Sequence, residues 1–122
     1  MLSQRVLARA LGVDAKSVRV ENAELVGDDI EIRLRPRVRY RWRCPHCDRR
    51  CGGYDPGRER RWRAVDFGRT KVHVVAQVPR VRCSQHGVVV AGVPWARHGA
   101  RHTLGFEQLA AWCAIEMSKT AA

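Results

Sequence analysis

Two short segments carry the strongest chemical signal in the sequence. Cys44 and Cys47 lie in Cys-Pro-His-Cys, and Cys83 and His86 lie in Cys-Ser-Gln-His. Two ligands separated by two residues can point into one tight turn and bind the same ion, and two such turns complete a tetrahedron. Thiolates favour zinc over magnesium or calcium. The spacing therefore predicts one structural Zn²⁺ with no coordination position open to a substrate.

The fourth ligand can be chosen in two ways. Cys51 follows Cys47 by four residues and could replace His86, which would give four thiolates. Two correctly spaced pairs rarely coincide by chance, which disfavours ordinary buried cysteines. We favour His86 as the fourth ligand and keep Cys51 as the alternative. The remaining cysteine, Cys113, falls on the apolar stripe of the last predicted helix, and we expect it in the core.

Charge is the unusual part of the composition. The chain has 23 basic and 12 acidic residues, a formal net charge of +11, and 20 of the basic residues are arginine. Residues 33–63 alone carry twelve basic and three acidic groups. This excess predicts a polyanionic partner, nucleic acid first, and an affinity that falls steeply with salt.

Arginine alternates with apolar residues from Ile30 to Trp42. A strand sends alternate side chains to opposite faces, so the pattern predicts one apolar face and one guanidinium face. Pro36 cannot donate to a β ladder, which indicates an edge strand, a bulge or two strands meeting there. The expected DNA contacts are the strand residues Arg33, Arg35, Arg37, Arg39, Arg41 and Arg43, and the loop residues Arg49, Arg50, Arg58, Arg60 and Arg61.

Hydrophobic periodicity predicts the elements that position these residues. A short helix is expected near residues 6–11, a strand over 69–78 with Val72 and its alternate neighbours inward, a loop over 51–57, and a helix over about 104–117. The prediction is an α+β fold, a small antiparallel β zinc-ribbon-like domain with a short N-terminal helix and a C-terminal helix.

The expected organisation has three parts. Residues 1–37 form an N-terminal helix plus a β-hairpin lead-in, 38–103 the zinc-binding β domain, and 104–122 the C-terminal helix. No run reaches about 18 apolar residues, which a membrane span needs. The N-terminus lacks the apolar region of a secretory signal. We therefore expect a cytoplasmic protein without a membrane partner.

Groups that could perform catalysis are sparse. The sequence has no P-loop, no nucleophile elbow and no deaminase motif. Asp55, Asp66 and Glu107 could be imagined as a metal-binding carboxylate set, but the first two lie in turn-like segments and Glu107 suits the first turn of a helix. The chain is therefore predicted not to be an enzyme.

The last predicted helix is apolar on more than one side. Trp112 and Ile115 lie off the main stripe that includes Leu109 and Cys113. Such a helix is typical of an element that packs on more than one neighbour. We expect homo-oligomerisation, or docking of a full-length partner, through this helix.

Several segments occur in a familiar order along the chain. RCPHC, GYDPGRERRWRAVDFG, PRVRCSQHG, VPWARHGARHT and FEQLAAW resemble the N-terminal zinc-finger region of bacterial insertion-sequence transposases of the ISL-three group, over about residues 38–120. The resemblance implies a zinc module that helps to recognise the ends of the element. The implied ligands are Cys44 with Cys47 and Cys83 with His86, where a fourth cysteine is commoner in the family.

In that family the zinc module precedes a helix-turn-helix and a nuclease domain with three catalytic carboxylates. By this resemblance the chain ends about where the helix-turn-helix should begin, and the final helix would lead toward an absent helix-turn-helix and catalytic domain. We do not expect this chain alone to move DNA.

These observations predict a zinc-binding domain that binds double-stranded DNA at transposon ends. One alternative is a protein-interaction module whose last helix docks a full-length transposase. A second alternative is a free-standing zinc-ribbon regulator that binds RNA.

Overall fold

A five-stranded sheet forms the body of the chain in the computed structural model, which describes residues 4–121. Its order is β1-β2-β4-β3, and β5 pairs with β4 beyond the end of β2. The α+β class is confirmed, and the sheet is antiparallel except for the parallel pair of β2 with β4. The elements are α1 (Gln4–Leu11), β1 (Val18–Val26), β2 (Asp29–Pro36), a 3₁₀ helix (Val38–Tyr40), β3 (Gly52–Phe67), β4 (Thr70–Cys83), β5 (Gly87–Val90) and α2 (Leu104–Ala121).

The central strand β4 places the core and one half of the metal-binding motif. Val72, Val74 and the alternate residues that follow them are buried, as predicted. After Pro79 the buried positions are Val81 and Cys83, so the inward-facing parity changes at the proline. One strand therefore carries core residues at its beginning and a zinc-ligand candidate at its last residue.

The core lies on one face of the sheet, beneath α1 and the segment 91–96. Ile32 and Leu34 of β2 pack in one cluster with Trp62 of β3. Trp95 is fully buried, and its ring meets that of Trp62 edge-on at 5.4 Å between centroids. A T-shaped aromatic pair adds stability beyond the area that it buries.

The alternating segment from Ile30 to Trp42 is a strand only as far as Pro36, the position where the sequence indicated an edge, a bulge or a junction, so the guanidinium face of β2 includes only Arg33 and Arg35. The chain turns into the 3₁₀ helix after Arg37. Proline supplies no N–H for further pairing, which removes a ladder hydrogen bond at this point. Apolar residues beyond it are largely exposed, with Val38 at 60% and Trp42 at 45%.

The segment 51–57 is not a loop as predicted, because β3 begins at Gly52. Register shifts near Asp55 allow the turn-forming residues to remain within a paired strand. Gly57 has φ +64°, and an added Cβ would lie 1.9 Å from the carbonyl oxygen of Val78. Glycine is therefore required at this bulge, where β3 lies close to the backbone of β4.

Helix α2 forms at the predicted place but most of it does not pack into the core. Its first turn is half-buried, whereas Leu109, Trp112 and Ile115 are 44%, 60% and 56% exposed. Cys113 is also exposed, which corrects its expected core position. Among the described residues, no helix is both long and apolar enough to cross a membrane.

Candidate metal centre and nucleic-acid interface

The four predicted ligands meet at one end of the sheet. The donor atoms of Cys44, Cys47, Cys83 and His86 all lie within 4.8 Å of one another. Nδ1 of His86 is 3.5 Å from Sγ of both Cys44 and Cys83, and the Sγ atoms of Cys47 and Cys83 are 3.7 Å apart. Tetrahedral zinc with its usual bond lengths requires edges of about 3.6 Å (S to N) and about 3.8 Å (S to S). The donor set therefore fits one Zn²⁺.

The first knuckle is a tight hairpin. The N–H of Cys44 donates to the carbonyl of Arg49, and the N–H of Asp48 donates to the carbonyl of Cys44. Asp48 has φ +60°, a left-handed conformation that aspartate tolerates better than most residues. Arg43 supports the turn, because its guanidinium donates to the carbonyls of Arg39 and Asp48. Arg43 therefore has a structural role here.

The second knuckle is the turn between β4 and β5. Cys83 pairs with Gly87 across it, and Gly87 has φ +72°. The backbone N–H of Gln85 and the His86 ring lower the pKa of the Cys83 thiol to about 6. Because the thiolate is the form that binds metal, the fold favours the ligand state of Cys83 at neutral pH.

Cys51 lies beside this centre but outside the group of mutually close donors. Its Sγ contacts the carbonyl of Arg49 at 3.3 Å. Burial, followed by the neighbouring Cys83 thiol, raises the pKa of Cys51, which disfavours its thiolate. The geometry favours His86 over Cys51 as the fourth donor.

A basic groove lies beside β3, where two adjoining clefts have volumes of about 570 and 630 Å³. Arg58 and Arg60 line both clefts. Among the described residues, Arg58, Arg60 and Arg101 form no ion pair, whereas Arg80 pairs with Asp55 and Arg97 with Glu107. We call the surface formed by these arginines the β3 groove: Arg58, Arg60, Arg80, Arg97 and Arg101.

Sequence reasoning identified only part of this surface. Arg80, Arg97 and Arg101 were missed, although for the last two the basic sequence Ala-Arg-His-Gly-Ala-Arg-His was a signal. The N–H of Arg63 donates to the carbonyl of Arg101, which brings this segment against β3. A pairing between residues so distant in sequence cannot be seen from local periodicity.

Other predicted DNA-contact residues are occupied within the fold. Arg33 pairs with Glu59, and Arg61 pairs with Glu31 at 3.0 Å. Each pair joins a residue of β2 to a residue of β3 across the face of β4 that carries His73 and Val75. Nε of Arg37 and Arg41 donates to backbone carbonyls, while Arg35, Arg39, Arg49 and Arg50 are exposed.

The three carboxylates considered for catalysis are not brought together as a set. Asp55 pairs with Arg80, Asp66 with Arg63, and Glu107 with Arg97. Among the described residues, the metal-ligand cluster of the cysteines and His86 contains none of them. Each carboxylate therefore contributes to local ion pairing.

A β hairpin and a strand turn that bring together three cysteines and a histidine define a zinc ribbon. The family model described as the zinc-finger of transposase IS204/IS1001/IS1096/IS1165 matches residues 40–86. The model described as the helix-turn-helix domain of transposase family ISL3 matches residues 92–122. This match begins before α2, whereas the sequence analysis placed the start of the helix-turn-helix at about the end of the chain. The resemblance is confirmed, because two successive segments of the chain match models of the zinc-finger and of the helix-turn-helix of such transposases.

Relatives among characterised proteins agree with this assignment. Transposases for insertion sequence element IS1557 from two strains of Mycobacterium tuberculosis, CDC 1551 / Oshkosh and ATCC 25618 / H37Rv, are each 41% identical to the chain over 128 residues. The alignments include 99% of this chain, which spans 29% of each relative's length. No solved structure matches the chain.

Proposed function

We propose that this chain is the zinc-stabilised segment through which an insertion-sequence transposase binds double-stranded DNA at the ends of its element. The observation that carries the proposal is the β3 groove, where Arg58, Arg60 and Arg101 have no ion-pair partner among the described residues. Its role is binding and positioning, and strand cleavage is not assigned to these residues.

Zinc bound by the four donors would fix the two knuckles relative to each other. The first knuckle is tied to the segment that lines the groove, because the N–H of Gly92 donates to the carbonyl of Arg43. The segment then continues through Trp95, which is locked in the core, to Arg97 and Arg101. Zinc binding thus supports the wall of the groove that faces Arg58 and Arg60.

Arginine suits this role because its guanidinium can bind phosphate oxygens through two parallel hydrogen bonds. Such contacts fix the register of a duplex but carry no sequence information directly. A helix-turn-helix reads bases with the second of two helices. Residues 92–121 contain the single helix α2 in the described part of the chain, so base reading is not assigned to a residue here.

The test measures how DNA affinity falls with salt concentration in variants that replace arginine by uncharged glutamine. Arg58→Gln combined with Arg101→Gln removes two groove cations, and Arg69→Gln removes one exposed cation at the β3–β4 turn. Each phosphate contact contributes about 0.9 to the slope of log affinity against log salt. We expect the double variant to lower the slope by about 2 and the Arg69 variant by much less, measured by fluorescence anisotropy on duplex DNA.

Equal slopes for the wild type and the double variant would contradict the assignment of the groove. A clear preference for single-stranded RNA over duplex DNA would favour the RNA-binding alternative. Zinc content and circular dichroism of each variant separate a binding defect from a folding defect.

A second candidate function is association through α2, which is favoured by the exposure of Leu109, Trp112 and Ile115. We propose that two copies of the chain pack along this face. Light scattering coupled to size exclusion should give a concentration-dependent dimer that Trp112→Ala weakens. A monomer at all concentrations would contradict homo-association, and mixing with a full-length transposase would then test the docking alternative.

A further inference from the structure

A second cavity opens where β2 and β4 separate. The two strands pair in parallel from Ile30 with Val72 to Arg33 with Val75, and β5 joins the same edge of β4 only from Arg80. Between these pairings lies a cavity of about 460 Å³. Its lining includes Arg35, Arg41, Trp42, Gln77 and Trp95. This volume is typical of sites that bind small organic molecules.

Trp95 lies at the floor of the cavity and is fully buried. Its Nε1 has no hydrogen-bond partner among the described residues, but the atom is closed to solvent, so a ligand in the cavity does not contact it. The groups available to a ligand are therefore the partly exposed side chains of the wall.

The wall of the cavity has a strained aromatic residue. Trp42 has φ +56° and is 45% exposed. A bulky residue in this conformation is a genuine outlier, and such strain persists where the surrounding structure holds it. The hairpin imposes it here, because the N–H of Cys51 donates to the carbonyl of Trp42. A flat, partly exposed indole is thereby held at the cavity.

The cavity is cationic and continuous with the β3 groove. Nε of Arg41 is held by the carbonyl of Pro36 at 2.7 Å. Burial and the nearby charge of Arg35 lower the pKa of Arg41, and Glu21, which also lines the cavity, offsets only part of this effect. Val78, Ala91 and Gly92 line both the cavity and the adjoining cleft of the groove. A nucleic-acid strand lying in the groove therefore passes the cavity.

We propose that this cavity receives one unstacked nucleobase of a DNA strand bound in the β3 groove. The base stacks on Trp42, and its phosphate meets Arg35 and Arg41. Stacking on an aromatic side chain accepts any base, since every base has a π-face. An unpaired nucleotide enters at least cost, because no base pair has to be broken. The inference rests on the proposed DNA-binding function.

The test compares three duplex probes with the zinc-loaded chain by fluorescence anisotropy: a fully paired duplex, the same duplex with one unpaired nucleotide, and that duplex with an abasic site at the unpaired position. We expect the unpaired base to bind about tenfold more tightly than its abasic counterpart, as one stacked base does elsewhere. Trp42→Gly should abolish this preference while duplex affinity is retained. Glycine accepts the positive φ, so this variant should fold.

Tyr40→Ala is the matched control, because it removes an exposed aromatic ring close to Trp42 that lines neither the cavity nor the β3 groove, and it should keep the preference. Trp42→Phe, which keeps an aromatic face at the same position, should retain part of the preference in a chain that still binds zinc. Equal, salt-dependent binding of all three probes by the wild type would overturn the inference and leave the DNA-binding function standing.

Two further outcomes distinguish failure of the DNA-binding function from failure of this inference alone. Failure of every probe to bind would remove both the DNA-binding function and the inference. Free deoxyadenosine monophosphate, added as a separate ligand, tests the source of the base. Trp42-dependent binding of this free nucleotide without any preference for the unpaired base would show a free-nucleotide site and overturn the proposal.

Discussion

The identity of the fourth zinc donor is decided at a single ring nitrogen. Nδ1 of His86 is 3.5 Å from the Sγ atoms of two cysteines, while Cys51 lies outside the group. We predict that His86→Ala weakens zinc binding more than about 100-fold, beyond the 10–100-fold typical of losing a residue that only orients a ligand. His86→Cys should retain tight binding, because it restores four soft donors in the common zinc pattern. Competition with a chromogenic chelator measures each affinity.

Cys51→Ser provides the matched control at this scale. If Cys51 is a bystander, the serine variant binds zinc as tightly as the wild type. A large loss of affinity in Cys51→Ser, with His86→Ala unaffected, would reverse the assignment.

The sequence predicted the ligands better than it predicted the arginines. Ligand pairs are read from local spacing, and a turn places them together whatever surrounds it. The direction of Arg33 or Arg61 depends on a carboxylate on another strand, Glu59 or Glu31. Alternation along the chain contains no information about such partners, so the sequence could not show which arginines form ion pairs within the fold.

Strand β3 shows what a single backbone position decides at the scale of an element. Gly57 combines φ +64° with a Cβ position only 1.9 Å from the carbonyl oxygen of Val78. Gly68, at the β3–β4 turn, has φ +62° but nothing within 4 Å of its Cβ position. We predict that Gly57→Ala lowers the free energy of unfolding by about 3 kcal/mol or more, and Gly68→Ala by about 1 kcal/mol. Urea denaturation of the zinc-saturated chain measures both.

The difference between the two glycine variants isolates the steric overlap, since both share the left-handed backbone. Losses of the same size would mean that β3 moves away from Val78 without cost. The turn-forming composition of residues 51–57 predicted a loop. Glycine and proline indicate that the chain bends, but they do not show whether the bend lies in a loop or within a paired strand.

Strand β4 could be predicted from its sequence. Its alternating valines report a buried face directly, and Pro79 marks the change of parity. Helix α2 was also placed correctly from its apolar period, but periodicity cannot tell whether a core lies beside it. The exposure of Leu109 and Cys113 on the main stripe was therefore not predicted, whereas Trp112 lies on the second apolar side that the sequence analysis identified.

At the scale of the whole molecule, the chain has two sources of stability at different places. Val20, Ile32, Leu34 and Val74 pack in a core on the sheet that includes none of the zinc donors. The hairpin over residues 41–51 contains no member of that core apart from the adjoining Cys51. Its main ties are backbone hydrogen bonds and the donor cluster.

This division predicts how the chain responds to loss of zinc. Structural zinc in small finger peptides contributes about 10–16 kcal/mol, which is comparable to the whole stability of a typical domain. Because local unfolding follows the distribution of contacts, chelation should raise amide exchange strongly over 41–51 and 83–92 and less over 18–34 and 70–78. Hydrogen exchange with mass spectrometry measures this, with zinc-saturated chelator as the control. Uniform exchange along the chain would instead show one cooperative unit, and unchanged protection over 41–51 would mean that zinc does not hold the hairpin or, through Gly92, the wall of the groove.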